Sequence, residues 1–390
     1  MSKVRVLVVD DSVVVRRLVT DALSGDPRID VVGTAANGRV ALAKIDQVNP
    51  DLVTLDIEMP VMDGLETLTE LRKLHPRLPV VMFSTLTDRG AAVTLDALER
   101  GADDYVTKPA NVGSVTESIQ AVRDQLVPKI VALVARRRPP GSAAPAAPAA
   151  PVVLAAAGGL SVPAAAGTRN VVDVVAIGVS TGGPDALATV LAALPATLPV
   201  PVVVVQHMPP VFTKQFADRL HARSALSVSE AVDGDVVRPG HVLIAAGDHH
   251  LRFRRSLADP GRIVARLDQG TPENYCRPAV DVMFRSVAEV WGGHVLGVVM
   301  TGMGSDGARG AVTLAEAGSP TIVQDQATSV VWGMPGAVVA AGAAAEVLPL
   351  DRIADAIVTR VRRGRSVLAT PDLPAARTSS TPHSLEGTPS

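Results

Sequence analysis

The chain has 390 residues, length for two or three domains with a core each, and Lys+Arg 37 against Asp+Glu 39 leaves a formal net charge of -2. That balance supplies no global field to draw the chain onto DNA or an anionic membrane, and 2% aromatic residues give few platforms for stacking single-stranded bases. One cysteine, Cys276, excludes an internal disulfide framework and a cysteine-rich metal site.

The opening residues, MSKVRVLVVDDS, meet carboxylates after a short apolar stretch and lack the long apolar region of a signal peptide, so a cytoplasmic protein is expected. Short Val/Leu/Ile runs then alternate with amphipathic stretches, the pattern of βα units around a parallel sheet. In residues 1–125 the strand candidates are 4–9, 31–34, 52–55, 80–83 and 104–106, which with their intervening helices predict a flavodoxin-like doubly wound domain. Residues 126–170 read as a helix end and a Pro/Ala-rich linker. The stretch 139–168 is uncharged, but a spanning helix would have to absorb Pro145, Pro148, Pro151 and Pro163. In residues 171–365 the clearest strands are 174–177, 202–205, 241–245 and 294–300, predicting a second doubly wound, Rossmann-like parallel sheet. The fold class is thus α/β throughout, and residues 366–390, rich in Ser, Thr and Pro, read as a disordered tail.

Asp10 and Asp11 follow the first strand and Asp56 the third. Those strands are neighbours in the order 2-1-3-4-5, so three carboxylates meet at the C-terminal edge of the sheet. Anions that close need a cation, and Mg²⁺ suits them because it takes hard oxygen ligands and keeps waters for a phosphate. Ser84 after the fourth strand and Lys108 after the fifth add a hydroxyl and an ammonium, groups that stabilise charge on a phosphoryl group transferred to an aspartate. One strand-end Asp is ordinary turn polarity, whereas five matched positions on successive strand ends point to a site. With VVDDS, LDIEMPVMDG and YVTKP, this part of the chain resembles bacterial response-regulator receiver domains. The resemblance implies that Asp56 is the phospho-acceptor. It further implies that Asp10, Asp11 and the backbone carbonyl of Glu58 help hold Mg²⁺ beside it, that Ser84 and Lys108 contact the phosphoryl group, and that a chemotaxis-type histidine kinase is the phosphodonor.

Past the linker, the strand 174–177 runs into GVSTGGP and then an apolar helical stretch. Within this G-x-S-x-G, Ser180 would present its Oγ at the sheet edge beside the free N–H groups of a helix N-terminus. A phosphate-binding turn or a plain tight connection fits the same letters. After the strand 294–300, TGMGSDG spells G-x-G-x-x-G through Gly302, Gly304 and Gly307, the dinucleotide-binding pattern, with Asp325 at a suitable distance. Its late place in the domain and Asp306 inside the loop, where it would repel a pyrophosphate, oppose that reading.

A serine nucleophile needs a base, and the base an orienter. His207 follows the strand 202–205, so Ser180, His207 and Asp306 all end parallel strands on one sheet edge and can converge. Their order differs from the Ser, Asp, His of α/β-hydrolases. His249 and His250 would point to opposite faces of a strand with no Cys or Glu near, against a metal site. Cys276 has no base beside it in sequence and reads as an inert structural thiol.

Together IGVSTGGP, VVQHMP, RPAVDVMF, VMTGMGSDGA and QDQATSVVWGMPG resemble the catalytic domain of the CheB-type protein-glutamate methylesterases and protein-glutamine glutaminases. The resemblance implies Ser180 as nucleophile, His207 as general base and acid, Asp306 as orienter of the imidazole, and the Met303 N–H as oxyanion donor, with no cofactor for the esterase reaction. It implies glutamate γ-methyl esters and glutamines on the cytoplasmic helices of methyl-accepting chemotaxis receptors as substrates, and a receiver that covers the active site until Asp56 is phosphorylated. No nucleic acid and no direct membrane insertion are expected. A phosphorylation-controlled binding module without turnover and a nucleotide-dependent oxidoreductase are the competing readings. The linker is longer and richer in Pro and Ala than close packing of the two halves calls for.

Overall fold

Runs of Val, Ile and Leu broken by Gly, Pro, Asn and Asp set strands and turns along the whole chain. The computed structural model describes residues 3–109, 114–136 and 171–365, so most of the segment read as linker and all of the tail 366–390 lie outside the described residues. The first unit runs β1 (Val4–Val9), α1 (Val13–Ser24), β2 (Ile29–Ala35), α2 (Gly38–Val48), β3 (Leu52–Asp56), α3 (Gly64–Leu74), β4 (Val80–Ser84), α4 (Asp88–Glu99), β5 (Asp104–Thr107) and α5 (Val115–Ala135). Ser12, Asn37 and Thr87 cap α1, α2 and α4, and Asp63 with Glu66 and Ser114 with Glu117 form capping boxes on α3 and α5.

The second unit runs β6 (Val174–Val179), α6 (Gly183–Ala193), β7 (Val202–Gln206), α7 (Phe212–Arg223), β8 (Ser227–Glu230), β9 (His241–Ile244), β10 (His250–Arg255), β11 (Ile263–Asp268), α8 (Val280–Trp291), β12 (Val295–Val299), α9 (Ala308–Glu316), β13 (Thr321–Gln324), α10 (Gly333–Ala340), β14 (Glu346–Leu348) and α11 (Leu350–Arg365).

Both sheets are parallel, as the alternating pattern predicts. The first has the order β2-β1-β3-β4-β5 and the second β14-β13-β12-β6-β7-β9-β8, with β10 and β11 as a separate antiparallel hairpin. In the second sheet the chain winds outward from β6 through β7 and returns through β12, so the C-terminal ends of β7, β6 and β12 lie side by side at the switch point where such sheets hold their ligands. Among the described residues, no helix is long and apolar enough to cross a membrane.

The two units are packed against each other despite the length of chain that joins them. Tyr105 of β5 stacks on the buried Phe212 of α7 with ring centroids 4.9 Å apart and 4° between planes, and Leu95 and Leu98 of α4 share one apolar cluster with Phe216 and Leu220. Around that contact Arg219 meets Asp96 at 2.6 Å and Glu99 at 3.5 Å, Arg223 meets Glu99 at 3.3 Å, and Gln215 donates to the Asp88 carbonyl at 2.7 Å. Phe212 therefore serves two cores at once. Phe212→Ala is expected to lose about 3–5 kcal/mol of stability, read as a lower denaturant midpoint for the second unit, and to loosen the seam between the units.

Candidate active site

At the edge of the first sheet, ligand oxygens of Asp10, Asp11 and Asp56 lie within 4.8 Å of one another. Asp10 and Asp56 are buried, and Lys108 Nζ sits 2.7 Å from Asp56 Oδ1 and 2.9 Å from Asp10 Oδ2. Burial and then the Asp10 charge outweigh the pull of Lys108 and raise Asp56 to about 6. Burial disfavours the charge on Lys108, but Asp56 and Asp10 outweigh it and hold its pKa above the ordinary value. Three carboxylates against one ammonium leave an excess of hard oxygen donors, a set that fits Mg²⁺. The Glu58 carboxylate is turned to Arg89 at 3.6 Å and adds no side-chain oxygen to the cluster. The Ser84 hydroxyl is engaged with the chain that follows β4: it shares its proton between the Thr85 and Gly90 carbonyls, each at 3.2 Å, and accepts from Thr94 at 2.6 Å.

At the edge of the second sheet, Ser180 ends β6 on a turn closed by Gly182, whose φ of 72° and contact with Val330 leave no room for a Cβ. The Ser180 N–H donates to the Thr301 carbonyl at 3.0 Å, and Gln206 Nε2 donates to the Ser180 carbonyl at 3.0 Å, tying the turn to both neighbouring strands. His207 Nε2 lies 2.7 Å from Asp306 Oδ2. Asp306, only 2% exposed, accepts in addition from Val280 N–H (2.6 Å), Asp281 N–H (3.0 Å), Gly307 N–H (3.0 Å) and Asn274 Nδ2 (2.8 Å). Helix α8 has no capping side chain of its own, and Asp306 caps it from another loop. Burial alone would raise Asp306; the His207 hydrogen bond and charge and the two α8 N–H groups reverse this and lower it, keeping the carboxylate ionised.

With Nε2 committed to Asp306, Nδ1 is the ring nitrogen left free of that carboxylate. In this conformation Nδ1 faces Cys276 Sγ at 3.6 Å. The thiol that has no base beside it in sequence thus lies against His207 in space, and the reading of it as merely structural is incomplete. Burial disfavours the charged imidazole, but the Cys276 sulfur and then Asp306 outweigh it and push His207 up to about 10.

The glycine loop is accounted for by packing at Gly302 and by left-handed backbone at Gly304 and Gly307. A Cβ on Gly302 would sit 2.9 Å from Ser180 Cβ and strike Met334, and Gly307 has a φ of 90°. Asp325 is engaged in its own turn, accepting from Thr328 N–H and Oγ1 at 2.9 and 2.6 Å, away from the ribose-binding role the dinucleotide pattern requires. His249 and His250 are each held by a separate carbonyl, of Gly247 and Thr271. Asn274, the α8 N-terminus and Cys276 are the site groups that the sequence pattern missed; all lie in or beside NYCRPAVD, whose letters carry no general signature.

The first unit roofs this site. Leu98, Asp104 and Tyr105 from the first unit and Ser180, Gln206 and His207 from the second line a cleft of about 30 Å³, room for little more than a water molecule. Asp185, at the start of α6 on the same seam, is raised to about 6 by burial and by the charges of Glu99 and Asp103, eased by Arg223.

Residues 175–357 match the family model described as CheB methylesterase, and residues 6–120 that of the response regulator receiver domain. A protein-glutamate methylesterase/protein-glutamine glutaminase of Nocardioides sp. is 54% identical over 369 residues, 94% of this chain and 98% of the relative. One of the same description from Trichodesmium erythraeum is 48% identical over 368 residues, 93% of this chain and 100% of the relative. The crystal structure of the Thermotoga maritima CheB methylesterase catalytic domain is 42% identical, with a TM-score of 0.47 over 48% of this chain and 98% of that one.

Because a raised histidine is a base only above its folded pKa, turnover by the unaltered chain should rise with pH as the His207 imidazole titrates above its ordinary range. Cys276→Ala removes one of the two raising groups and should move the titration to lower pH; an unmoved titration would count against the contact.

Proposed function

The chain belongs to the CheB methylesterase family, and from that premise we propose how its residues carry out a phosphorylation-regulated protein-glutamate methylesterase and protein-glutamine glutaminase reaction in chemotaxis. Ser180 Oγ attacks the side-chain carbonyl of a glutamate γ-methyl ester on a cytoplasmic helix of a methyl-accepting receptor, and its proton passes to His207 Nδ1. The imidazolium so formed is held against the Asp306 carboxylate. The oxyanion is met by the Met303 N–H, in the loop that Gly302 brings against Ser180, and by the N-terminal end of α6. Collapse of the tetrahedral intermediate returns the proton to the leaving oxygen and frees methanol. Water, deprotonated by His207, then hydrolyses the acyl-enzyme to a carboxylate. On a glutamine the same steps release ammonia.

Regulation enters through the first sheet. A chemotaxis-type histidine kinase donates the phosphoryl group to an Asp56 oxygen, with Lys108 against the incoming charge. The carboxylates of Asp10, Asp11 and Asp56, with the Glu58 carbonyl, would hold Mg²⁺, which when bound would supply further charge neutralisation there. Ser84, now bonded to Thr85, Gly90 and Thr94, exchanges part of this bonding for the phosphoryl group. The outer side of α4 is the surface that binds Gln215, Arg219 and Arg223 of α7, so a change at Ser84 is passed to the seam over Ser180. The reading places the protein in the cytoplasm.

The observation that carries the proposal is the pairing of His207 with a buried, five-fold hydrogen-bonded Asp306 beside Ser180, under the face of a second unit that bears the Asp10–Asp11–Asp56 cluster. It is tested by methanol release from methylated receptor membranes, with and without a small phosphodonor and Mg²⁺. Ser180→Ala is expected to abolish release. Asp56→Ala should keep the basal rate and lose the response to phosphodonor, and Arg219→Ala should raise the basal rate a few-fold without phosphodonor, since it unties α7 from Asp96 and Glu99. Release that survives Ser180→Ala contradicts the mechanism.

A further inference from the structure

The loop that touches the triad from outside the sheet edge turns one large side chain to solvent. Glu273 and Cys276 exchange backbone hydrogen bonds at 3.1 and 2.9 Å, closing a tight loop with Asn274 and Tyr275 at its tip. Both tip residues have left-handed backbones, with φ of 53° and 62°, a region that side chains bearing a Cβ occupy only when surrounding contacts hold them there. Glu273 pairs with Arg285 and Arg309, Asn274 donates to Asp281 and Asp306, Cys276 meets His207, and Arg277 pairs with Asp248. Every polar neighbour is thus directed inward, while Tyr275, at 104% relative exposure, has its ring entirely in solvent. The other tyrosine of the chain, Tyr105, is buried and stacked.

We propose that Tyr275 is a specificity-determining residue whose ring lies against the receptor helix that presents its glutamyl side chain to Ser180. The inference rests on the function proposed above. Residues on both sides of Tyr275 touch His207 or Asp306, so a helix that seats a side chain at Ser180 passes within reach of the ring. The first unit leaves the ring uncovered even while it roofs the cleft, so the occupant is the substrate and not the lid. An apolar ring face with a polar tip suits the aliphatic stems and polar ends found along the side of a solvated helix, and a rigid aromatic at a site rim is the kind of residue on which binding energy concentrates.

The test is steady-state kinetics of the full chain with phosphodonor and Mg²⁺ on two substrates, methylated receptor membranes and the γ-methyl ester of N-acetylglutamate. Tyr275→Ala is expected to raise KM for the receptor roughly three- to tenfold with kcat retained, and to leave the small ester within about twofold. Tyr275→Phe should recover most of the receptor KM. An unchanged receptor KM overturns the role, as does an equal loss on both substrates, which would make the loop structural. Turnover of the small ester but not of receptor by the unaltered chain overturns the receptor reading itself, and this role with it.

Discussion

The geometry of the second unit hangs on one buried carboxylate. Asp306 receives hydrogen bonds from His207, Asn274, Val280, Asp281 and Gly307, and an ionised carboxylate, which only accepts, is the side chain that can satisfy them all. It thereby fixes the ring of the proposed base, caps α8 and anchors the 273–276 loop. The sheet order makes this possible: β6 lies between β7 and β12, so a serine ending β6 has the base on one side and the carboxylate loop on the other. Neither contact would survive a different strand order.

On the proposed reading, a second constraint is that the roof must be removable. The charged contacts of Arg219 and Arg223 with α4 are partly exposed, and such pairs contribute little individually. The Tyr105–Phe212 stack is the firmer element. Asp185 adds opposition: its pKa is raised to about 6 in the closed seam, so protonation favours closure, and above that pH its ionisation works against it. On the proposed reading, a seam so balanced is shifted by the modest differential interaction that a phosphoryl group on Asp56 would supply through Ser84 and α4.

Much of this is legible in the chain because both sheets are parallel and place their chemistry at strand ends. Asp10, Asp56, Lys108, Ser180 and His207 could be read as convergent from the strand pattern alone. What could not be read lies in connections. β8, β13 and β14 hold 4, 4 and 3 residues, too few to show a period. The meeting of Cys276 with His207 and of Asn274 with Asp306 depends on how the chain returns from the β10–β11 hairpin to α8, over separations of 69 and 32 residues. The glycines of TGMGSDG are ambiguous as letters because the close approach of Gly302 to Ser180 and Met334, and the left-handed backbone of Gly304 and Gly307, demand the same residue as close approach to a pyrophosphate. The length of the linker gave no sign that the units would share an apolar cluster.

The most direct test of the central role of Asp306 is the turnover of Asp306→Asn on a glutamyl methyl ester. The amide keeps the shape but replaces an acceptor with a donor facing donors. Turnover should fall by roughly a thousand-fold or more, with phosphorylation of Asp56 in the same molecule unchanged. Turnover close to that of the unaltered chain would contradict the account.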